Sequence, residues 1–211
     1  MMESMFTVFI VDDDAGVVKG LARLLRANGY DVQTFTSPAE FLSRHDATLP
    51  GCALLDVSMP GIDGLELQRA LSAGAGSHRP IVFLTGKGDV PTSVQAMKAG
   101  AVDFLTKPAD DKAILAAIAR AENEDGKARR DFAERAAIGR KVAALTPRER
   151  EVLGHVVIGR LNKQIAGDLG TVEKTIKVHR SRMMAKMGVR TVADLVRLAE
   201  RVGIGGPAAN G

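Results

Sequence analysis

The sequence is poor in cysteine and in aromatic residues. Of its 211 residues, one is cysteine, one is tyrosine and none is tryptophan. Because the single cysteine, Cys52, cannot form an internal disulfide, a small secreted scaffold held by disulfides is excluded. Cys52 follows a glycine and begins an apolar run, which favours a buried core thiol over a redox-active one.

Long hydrophobic runs are also missing. The apolar runs have the length of strands, far below the roughly 20 residues that a membrane-spanning helix needs. Residues 1–6 lack the charged region and apolar core of a signal peptide. We therefore expect a cytoplasmic protein with no membrane partner. With 45% hydrophobic residues, the chain can form one large domain or two small ones.

Charge is distributed unevenly along the chain. Residues 1–125 contain 11 Lys and Arg against 17 Asp and Glu, whereas residues 126–211 contain 18 against 8. A basic excess of this size is typical of segments that bind nucleic acid or an anionic membrane. Phe132 is the only aromatic residue of the basic half, so the stacking platforms of single-strand binders are absent. Duplex DNA is the predicted partner.

The first half alternates strand and helix signals five times. Short β-rich runs begin at Thr7, Asp31, Cys52, Pro80 and Asp103, and amphipathic stretches separate them. This pattern predicts an α/β domain with a doubly wound, five-stranded parallel sheet of flavodoxin-like order 2-1-3-4-5. In such a sheet ligands bind at the carboxyl ends of the strands, where the strand order reverses.

The second half is predicted to be entirely helical. Residues 110–144 form either one long helix or two helices with a hinge near residues 124–126, and the lack of proline favours the long helix. A four-helix domain follows, with helices at 147–157, 162–169, 173–187 and 192–202. The first of these has a capping box, in which Thr146 is the N-cap and Glu149 the third residue. The predicted divisions are a domain at 5–122, a linker at 123–144, a domain at 145–203 and a flexible tail at 204–211.

Polar side chains follow the predicted strands of the first domain. Asp12, Asp13 and Asp56 supply three carboxylates, Thr85 a hydroxyl and Lys107 an ammonium, and all would converge at one edge of the sheet. Carboxylates bind Mg²⁺, and Lys and Thr can meet phosphoryl oxygens. Because three carboxylates repel one another, we expect weak metal binding before phosphorylation and a requirement for Mg²⁺ during it. Asp56 is the predicted phosphoacceptor.

Four motifs carrying these residues resemble the receiver domain of bacterial response regulators, over residues 5–122. They are Val11-Asp12-Asp13-Asp14, Leu55-Asp56-Val57-Ser58-Met59-Pro60-Gly61-Ile62-Asp63-Gly64, Leu84-Thr85-Gly86 and Thr106-Lys107-Pro108. The resemblance implies that Asp56 accepts a phosphoryl group from a sensor histidine kinase. It also implies that Asp13, Asp56 and the backbone carbonyl of Ser58 bind Mg²⁺ directly, with Asp12 acting through water. Thr85 and Phe104 would be the switch pair: the hydroxyl moves toward the phosphoryl group and the ring follows.

Residues 145–203 are similar to the helix-turn-helix domain of LuxR-type and FixJ/NarL-type regulators. The similarity rests on Leu145-Thr146-Pro147-Arg148-Glu149-Arg150-Glu151-Val152-Leu153, Gly159-Arg160-Leu161-Asn162-Lys163-Gln164-Ile165-Ala166 and Lys174-Thr175-Ile176-Lys177-Val178-His179-Arg180. The helix at 173–187 would enter the major groove. Its base-edge candidates are Lys177, Val178 and Ser181. The phosphate-contact candidates are Asn162, Lys163, Thr175, His179, Arg182 and Lys186.

Two details of this second domain are left open by the sequence. Val172 stands where the family usually has a serine N-cap, so either Thr171 caps the recognition helix one residue early or the helix lacks a side-chain cap. The last helix has an apolar stripe at Leu195, Leu198, Ala199 and Val202. This stripe is either core or the surface that pairs two DNA-binding domains.

Together these features predict a phosphorylation-dependent transcriptional regulator of a two-component system. Phosphorylation would change the surface around residues 90–119 and promote a homodimer or release the DNA-binding domain. The expected partners are a histidine kinase, double-stranded DNA and RNA polymerase. The protein is not expected to be an enzyme beyond assisting its own phosphorylation and dephosphorylation.

Two alternatives remain at this point. The first domain could be a non-signalling scaffold of a constitutive DNA-binding protein, although all five site residues are present. Alternatively, residues 12–17 also resemble the nucleophile loop of haloacid-dehalogenase-type phosphatases. That interpretation leaves the motif at 55–64 unexplained. It also needs an acidic pair at a strand end, whereas Asp110 and Asp111 are predicted to begin a helix.

Overall fold

The structure, a computed structural model, describes residues 6–73, 79–86 and 90–204. The chain divides into two compact units, Met1–Arg129 and Arg130–Gly211. Within the described ranges no helix combines the length and the apolar character that a membrane crossing requires.

The first unit is built on a five-stranded parallel sheet. Its strands are β1 (Thr7–Val11), β2 (Asp31–Phe35), β3 (Gly51–Leu55), β4 (Ile81–Thr85) and β5 (Asp103–Thr106). They lie in the order β2-β1-β3-β4-β5, so the predicted flavodoxin-like order is confirmed. Helices α1 (Ala15–Ala27), α2 (Pro38–Arg44), α3 (Gly64–Ala73) and α4 (Val90–Lys98) alternate with the strands.

The central strands β1, β3 and β4 are buried along their whole length. Successive residues point to opposite faces of a sheet, and each face has its own core. Val8 and Ile10 belong to one cluster, and Phe9 and Val11 belong to the other. This burial on both faces explains why these strands are continuous apolar runs and not alternating ones.

The strand register positions the ends of β1 and β3. Val11 pairs with Leu55, and the amide of Asp56 donates to the carbonyl of Val11 at 2.9 Å. The residues that follow these partners, Asp12 and Asp56, are therefore brought to the same edge of the sheet.

A single long helix, α5 (Asp111–Ala143), follows β5 and runs through Gly126 and Gly139 without interruption. The long-helix interpretation is therefore correct, and the hinged alternative is wrong. In the first unit, Ile114 and Ile118 of α5 are buried in the core. Farther along, Arg129 forms an ion pair with Asp125 at 2.7 Å and donates to the carbonyls of Thr48, at 2.9 Å, and Leu49.

The second unit contains α6 (Pro147–Val157), α7 (Asn162–Asp168), α8 (Glu173–Met187) and α9 (Val192–Arg201). The predicted bounds of α6 and α8 are confirmed, and those of α7 and α9 were one residue too long. The core includes Ile138 from α5, Leu153, Ile165, Ile176 and Met183.

The helices of this unit differ in how their first turns are capped. The predicted capping box of α6 is present: the amide of Glu149 donates to Thr146 Oγ1 at 3.3 Å, and the amide of Thr146 donates to Glu149 Oε2 at 2.9 Å. The N-cap of α8 is Val172, and it makes no side-chain capping bond. Thr171 therefore does not cap the helix early, since the helix begins at Glu173 and its N-cap is Val172. A valine side chain has no hydrogen-bond acceptor, so α8 lacks a side-chain cap.

Candidate functional site

Asp12, Asp56 and Lys107 converge at the carboxyl edge of the sheet. Lys107 Nζ lies 2.6 Å from Asp12 Oδ2 and 3.1 Å from Asp56 Oδ1. The two aspartates are 3% and 6% exposed, so their carboxylates are held out of bulk water. The structure thus brings together three of the five residues predicted at the strand ends, joined by ion pairs.

Backbone amides hold both carboxylates in place. The amide of Asp14 donates to Asp12 Oδ1 at 2.9 Å, and the amide of Ser58 donates to Asp56 Oδ2 at 2.7 Å. Each carboxylate therefore has one oxygen on an amide and the other on the ammonium of Lys107. Burial by itself lowers the pKa of Lys107, but the hydrogen bonds to Asp12 and Asp56 outweigh it, and the net result is a raised pKa.

Thr85 lies at the end of β4 and is completely buried. Its carbonyl accepts from the amide of Lys107 at 2.8 Å, which ties the strand end of β4 to the loop that carries the lysine. Phe104 is half-buried on β5, and its ring centroid lies 5.9 Å from that of Phe83. Both members of the predicted switch pair are therefore on the two neighbouring strands that border the site.

The three aspartates of the first motif have different environments. Asp13 is exposed, and Asp14 caps α1 by accepting from the amides of Gly16 at 2.7 Å and Val17 at 3.2 Å. In the ranges that the structure describes, no three Asp, Glu, His or Cys side chains lie close enough together to hold a metal ion. Asp12 and Asp56 are instead bridged by the ammonium of Lys107, which reduces the repulsion between the two carboxylates.

Gly64 is a site residue to which the sequence reasoning gave no role. A Cβ on this glycine would lie 2.3 Å from the carbonyl oxygen of Asp56 and 3.0 Å from Cα of Val57. The amide of Gly64 donates to the carbonyl of Val57 at 2.9 Å. Only glycine permits α3 to begin this close behind the phosphoacceptor candidate. The signal was the glycine that ends the motif at 55–64.

The predicted DNA-contacting residues of the second unit lie on α7 and α8. The face of α8 formed by Ile176, Met183 and Met187 is buried. Away from it, at helical spacing, Lys177, Val178, Ser181 and Arg182 are exposed. Lys163 is exposed at the start of α7, whereas Asn162, Thr175 and His179 are half-buried. All three base-edge candidates are thus accessible.

Three of these candidates have partners within the unit. Lys177 lies 3.2 Å from Glu173, one helical turn away, and Asn162 accepts from Arg180 at 2.9 Å. Lys186 donates to Glu149 at 2.6 Å and to the carbonyl of Ala144 at 3.2 Å. The hydrogen bond from Lys186 and the one from the Thr146 amide lower the pKa of Glu149. Sequence reasoning missed Arg180 and the Glu149 partnership, because contacts between helices leave no local pattern.

The first unit is a parallel α/β sheet with an Asp–Lys–Asp cluster at its switch point. The second is a helical unit with an exposed basic helix. Together they define a signal-receiving protein with a DNA-binding output. The family model "Response regulator receiver domain" matches residues 8–119. The model "Bacterial regulatory proteins, luxR family" matches residues 143–199.

Similar proteins share both domains in one chain. The chain is 43% identical to the transcriptional regulatory protein FixJ of Azorhizobium caulinodans over 206 residues, which is 96% of each chain. It is 42% identical to nodulation protein W of Bradyrhizobium diazoefficiens, covering 93% of this chain and 86% of that one. Among solved structures, the response regulator StyR has a TM-score of 0.80 at 44% identity, covering 93% and 99% of the two chains. Full-length FixJ from B. japonicum has a TM-score of 0.58 at 39% identity, covering 95% and 98%.

The chain therefore belongs to the two-component response regulators of the FixJ/NarL type, with a receiver domain followed by a LuxR-type DNA-binding domain. This class of protein implies a histidine kinase and DNA as partners. The phosphatase alternative has no support: β5 ends at Thr106 and Asp111 begins α5, so Asp110 and Asp111 do not end a strand.

Proposed function

We propose that the protein is a phosphorylation-dependent transcriptional regulator that accepts a phosphoryl group on Asp56 from a sensor histidine kinase. The observation that carries this proposal is the position of Asp56 Oδ1, 3.1 Å from Lys107 Nζ in a pocket shared with Asp12. An Asp56 oxygen would attack the phosphorus as the bond to the kinase histidine breaks. The ammonium of Lys107 and the hydroxyl of Thr85 would meet the negative charge on the phosphoryl oxygens.

The residues of this pocket fit Mg²⁺. Two buried carboxylates share one ammonium, so the pocket retains a net negative charge, and its donors are the hard oxygens that Mg²⁺ prefers. Asp12, Asp13, Asp56 and the Ser58 carbonyl would hold the ion. When bound, Mg²⁺ supplies positive charge toward the phosphoryl oxygens. The receiver would thereby assist its own phosphorylation and dephosphorylation, and no other enzyme activity is proposed.

The signal would pass through Thr85 and Phe104. A phosphoryl group on Asp56 offers the Thr85 hydroxyl a charge-assisted acceptor, and Phe104 on the next strand would move into the space that Thr85 leaves. The surface that changes includes α4, where Val90, Val94 and Met97 are exposed apolar residues at helical spacing. We propose that this change promotes a homodimer.

The output would be binding of duplex DNA by the dimer, followed by contact with RNA polymerase. Lys177, Val178 and Ser181 would read base edges, and the basic and polar residues around them would bind phosphates. Two half-sites held by one dimer raise the effective concentration of the second domain, which amplifies a small change in dimerisation. In α9, Leu195 and Ala199 are buried in the core, so any dimer contact there would use its remaining surface.

Replacing Asp56 by Asn should abolish phosphoryl uptake, because an amide is not the nucleophile that a carboxylate is. Wild-type and variant proteins would be incubated with radiolabelled acetyl phosphate and Mg²⁺, and the bound label measured. The matched control is Asp63→Asn, since Asp63 lies in the same loop and accepts from the Glu66 amide at 2.7 Å, a bond that asparagine can keep. The control should take up label like the wild type.

Equal labelling of Asp56→Asn and the wild type would refute Asp56 as the acceptor. Gel-shift titration of both proteins on a pool of genomic fragments would then test the output. If acetyl phosphate raises labelling but leaves DNA occupancy unchanged, the constitutive DNA-binding alternative is correct.

A further inference from the structure

In the second unit, the carboxyl end of α8 exchanges hydrogen bonds with the last turns of α5. Lys141 of α5 donates to the carbonyl of Met187, the last residue of α8, at 3.1 Å. In the opposite direction, Lys186 of α8 donates to the carbonyl of Ala144, just after α5, at 3.2 Å. Carbonyls at helix ends lack intrahelical donors, and cations are favoured there by the helix dipole. Both bonds therefore satisfy groups that the helices themselves leave open.

Glu149 joins α6 to the same contact. Its side chain is 4% exposed, and its Oε2 accepts from Lys186 Nζ at 2.6 Å. The same oxygen accepts from the Thr146 amide at 2.9 Å, within the capping box. One carboxylate oxygen thus fixes both the first turn of α6 and the last turn of α8.

Apolar packing supports these polar bonds. Ile138, Leu145, Met183 and Met187 are buried in one cluster, so the ends of α5 and α8 share a core. The C-cap of α8, Gly188, has a φ of +69°, and a Cβ on it would lie 3.3 Å from Lys141 Nζ. The end of α8 is therefore held by side chains from two other helices.

We infer that Lys141, Glu149 and Lys186 are positioning residues for DNA recognition, which hold the carboxyl end of α8 against α5 and α6. This inference rests on the proposed DNA binding and deepens it. The base-edge candidates Lys177 and Ser181 lie about 9 to 15 Å from Met187, at a rise of about 1.5 Å per residue. A small tilt at the anchored end therefore displaces the residues that read bases. Lys186 acts through Glu149 and not as a phosphate contact.

If Lys186 is a phosphate contact, its loss has a different effect on DNA binding than if it is a positioning residue. A phosphate contact contributes to specific and nonspecific binding alike, and its loss lowers the slope of log affinity against log salt by about one. A positioning residue leaves that slope unchanged and affects mainly the specific complex. The effect of Glu149→Gln separates the roles further, because removal of a nearby negative charge should not weaken a phosphate contact.

The test uses the full-length protein treated with acetyl phosphate and Mg²⁺. The probes are a duplex selected by the wild type from a random-sequence pool and a scrambled duplex of the same composition, each titrated at several salt concentrations. The variants are Lys186→Met, Glu149→Gln, the double variant and Lys141→Met. Lys163→Met, at an exposed phosphate-contact candidate, is the matched control.

We expect each positioning variant to lose roughly tenfold in affinity for the selected duplex, comparable to one lost base contact. Affinity for the scrambled duplex and the salt slope should stay at the wild-type values. The double variant should be no weaker than the weaker single variant, because both remove one interaction. Lys163→Met should instead lower the slope by about one and weaken both complexes. A loss of folded protein would lower both affinities equally, so it does not imitate the expected result.

A lowered slope in Lys186→Met, together with undiminished binding by Glu149→Gln, would overturn the inference and leave the DNA-binding proposal intact. If the wild type shows neither sequence preference nor salt dependence, both fail together. Should the Glu149 and Lys186 variants not fold, Lys141→Met decides the question, because it removes only the bond to Met187. Unchanged specific affinity in that variant would overturn the inference.

Discussion

Lys107 is the residue on which the charge balance of the receiver pocket depends. It is the shared partner of Asp12 and Asp56, at 2.6 and 3.1 Å. The sequence predicted that these three residues meet, because parallel strands deliver their ends to one edge. It assigned no role to Asp14, which caps α1 while Asp12 pairs with Lys107. That division depends on helix capping by Asp14, and the carboxylates of three adjacent aspartates are chemically identical.

Replacing Lys107 by Met should lower the free energy of unfolding of the receiver by roughly 1–3 kcal/mol at neutral pH, because two buried carboxylates lose their shared donor. Mg²⁺ should restore more stability to this variant than to the wild type, since the ion replaces the missing positive charge. Urea unfolding with and without MgCl₂ measures both effects.

The control for this experiment is Lys112→Met, at an exposed position near the start of α5. It should unfold like the wild type. Identical urea midpoints for Lys107→Met and the wild type, with equal gains from Mg²⁺, would contradict the assigned role.

Raising the pH should also lower the stability of the receiver domain through Lys107. The pKa of Lys107 is raised in the folded protein, so its contribution to stability is present below the ordinary value of 10.5 and is lost as pH rises through the folded value. The Lys107→Met variant should lack this part of the alkaline destabilisation.

Among the elements, α6 shows how far local sequence determines a helix. Thr146, Pro147 and Glu149 predicted its start, and the observed helix agrees to the residue. The sequence did not predict that Glu149 also binds Lys186, which is 37 positions away. Capping signals act over three or four residues, whereas contacts between helices depend on packing angles that no local pattern encodes. Helix α8 shows the opposite: its N-cap, Val172, provides no side-chain cap, and the helix nevertheless begins at Glu173.

Acid should destabilise α6 and α8 through Glu149. Its pKa is lowered below the ordinary value of 4.5 in the folded protein, so its contribution is present above that value and is lost as pH falls through the folded one. Protection of the α6 and α8 amides from hydrogen exchange, taken relative to the intrinsic exchange rate at each pH, should therefore fall below about pH 4.5 in the wild type. Glu149→Gln should show lower protection at neutral pH and a smaller further loss in acid.

The comparison variant for the acid experiment is Glu151→Gln. Glu151 pairs with Arg148 on the surface, and its side chain is 49% exposed. Surface pairs contribute little, so its acid profile should match the wild type. An unchanged acid response in Glu149→Gln would show that the Lys186 pair does not stabilise these helices.

For the whole molecule, the sequence predicted both domains, their order and the helix between them. It predicted a linker at 123–144, and the division of the chain into two compact units, after Arg129, falls within that stretch. The division lies inside a helix because α5 contributes residues to both units. Arg129 bonds to carbonyls of the receiver, and Ile138 is buried in the core of the second unit. A continuous amphipathic helix carries no sequence signal at the point where its contacts change.

A fragment of residues 130–211 should therefore be more stable than one of residues 145–211, by about 2 kcal/mol for the buried side chain of Ile138 alone. Urea denaturation followed by circular dichroism measures the difference. Ile138→Ala within the longer fragment should remove most of the advantage. Equal midpoints for the two fragments would mean that the end of α5 is dispensable for the second unit.

The division of charge affects how this protein approaches DNA. The first unit contains 13 Lys and Arg against 17 Asp and Glu, and the second contains 16 against 8, so their net charges are −4 and +8. The field of a nucleic acid repels the first unit and attracts the second. Diffusional encounters are therefore biased toward orientations in which the LuxR-type domain reaches the DNA first, before any base is read. Because salt screens this steering within about 10 Å at 0.1 M, the association rate is more sensitive to ionic strength than the overall charge of +4 suggests.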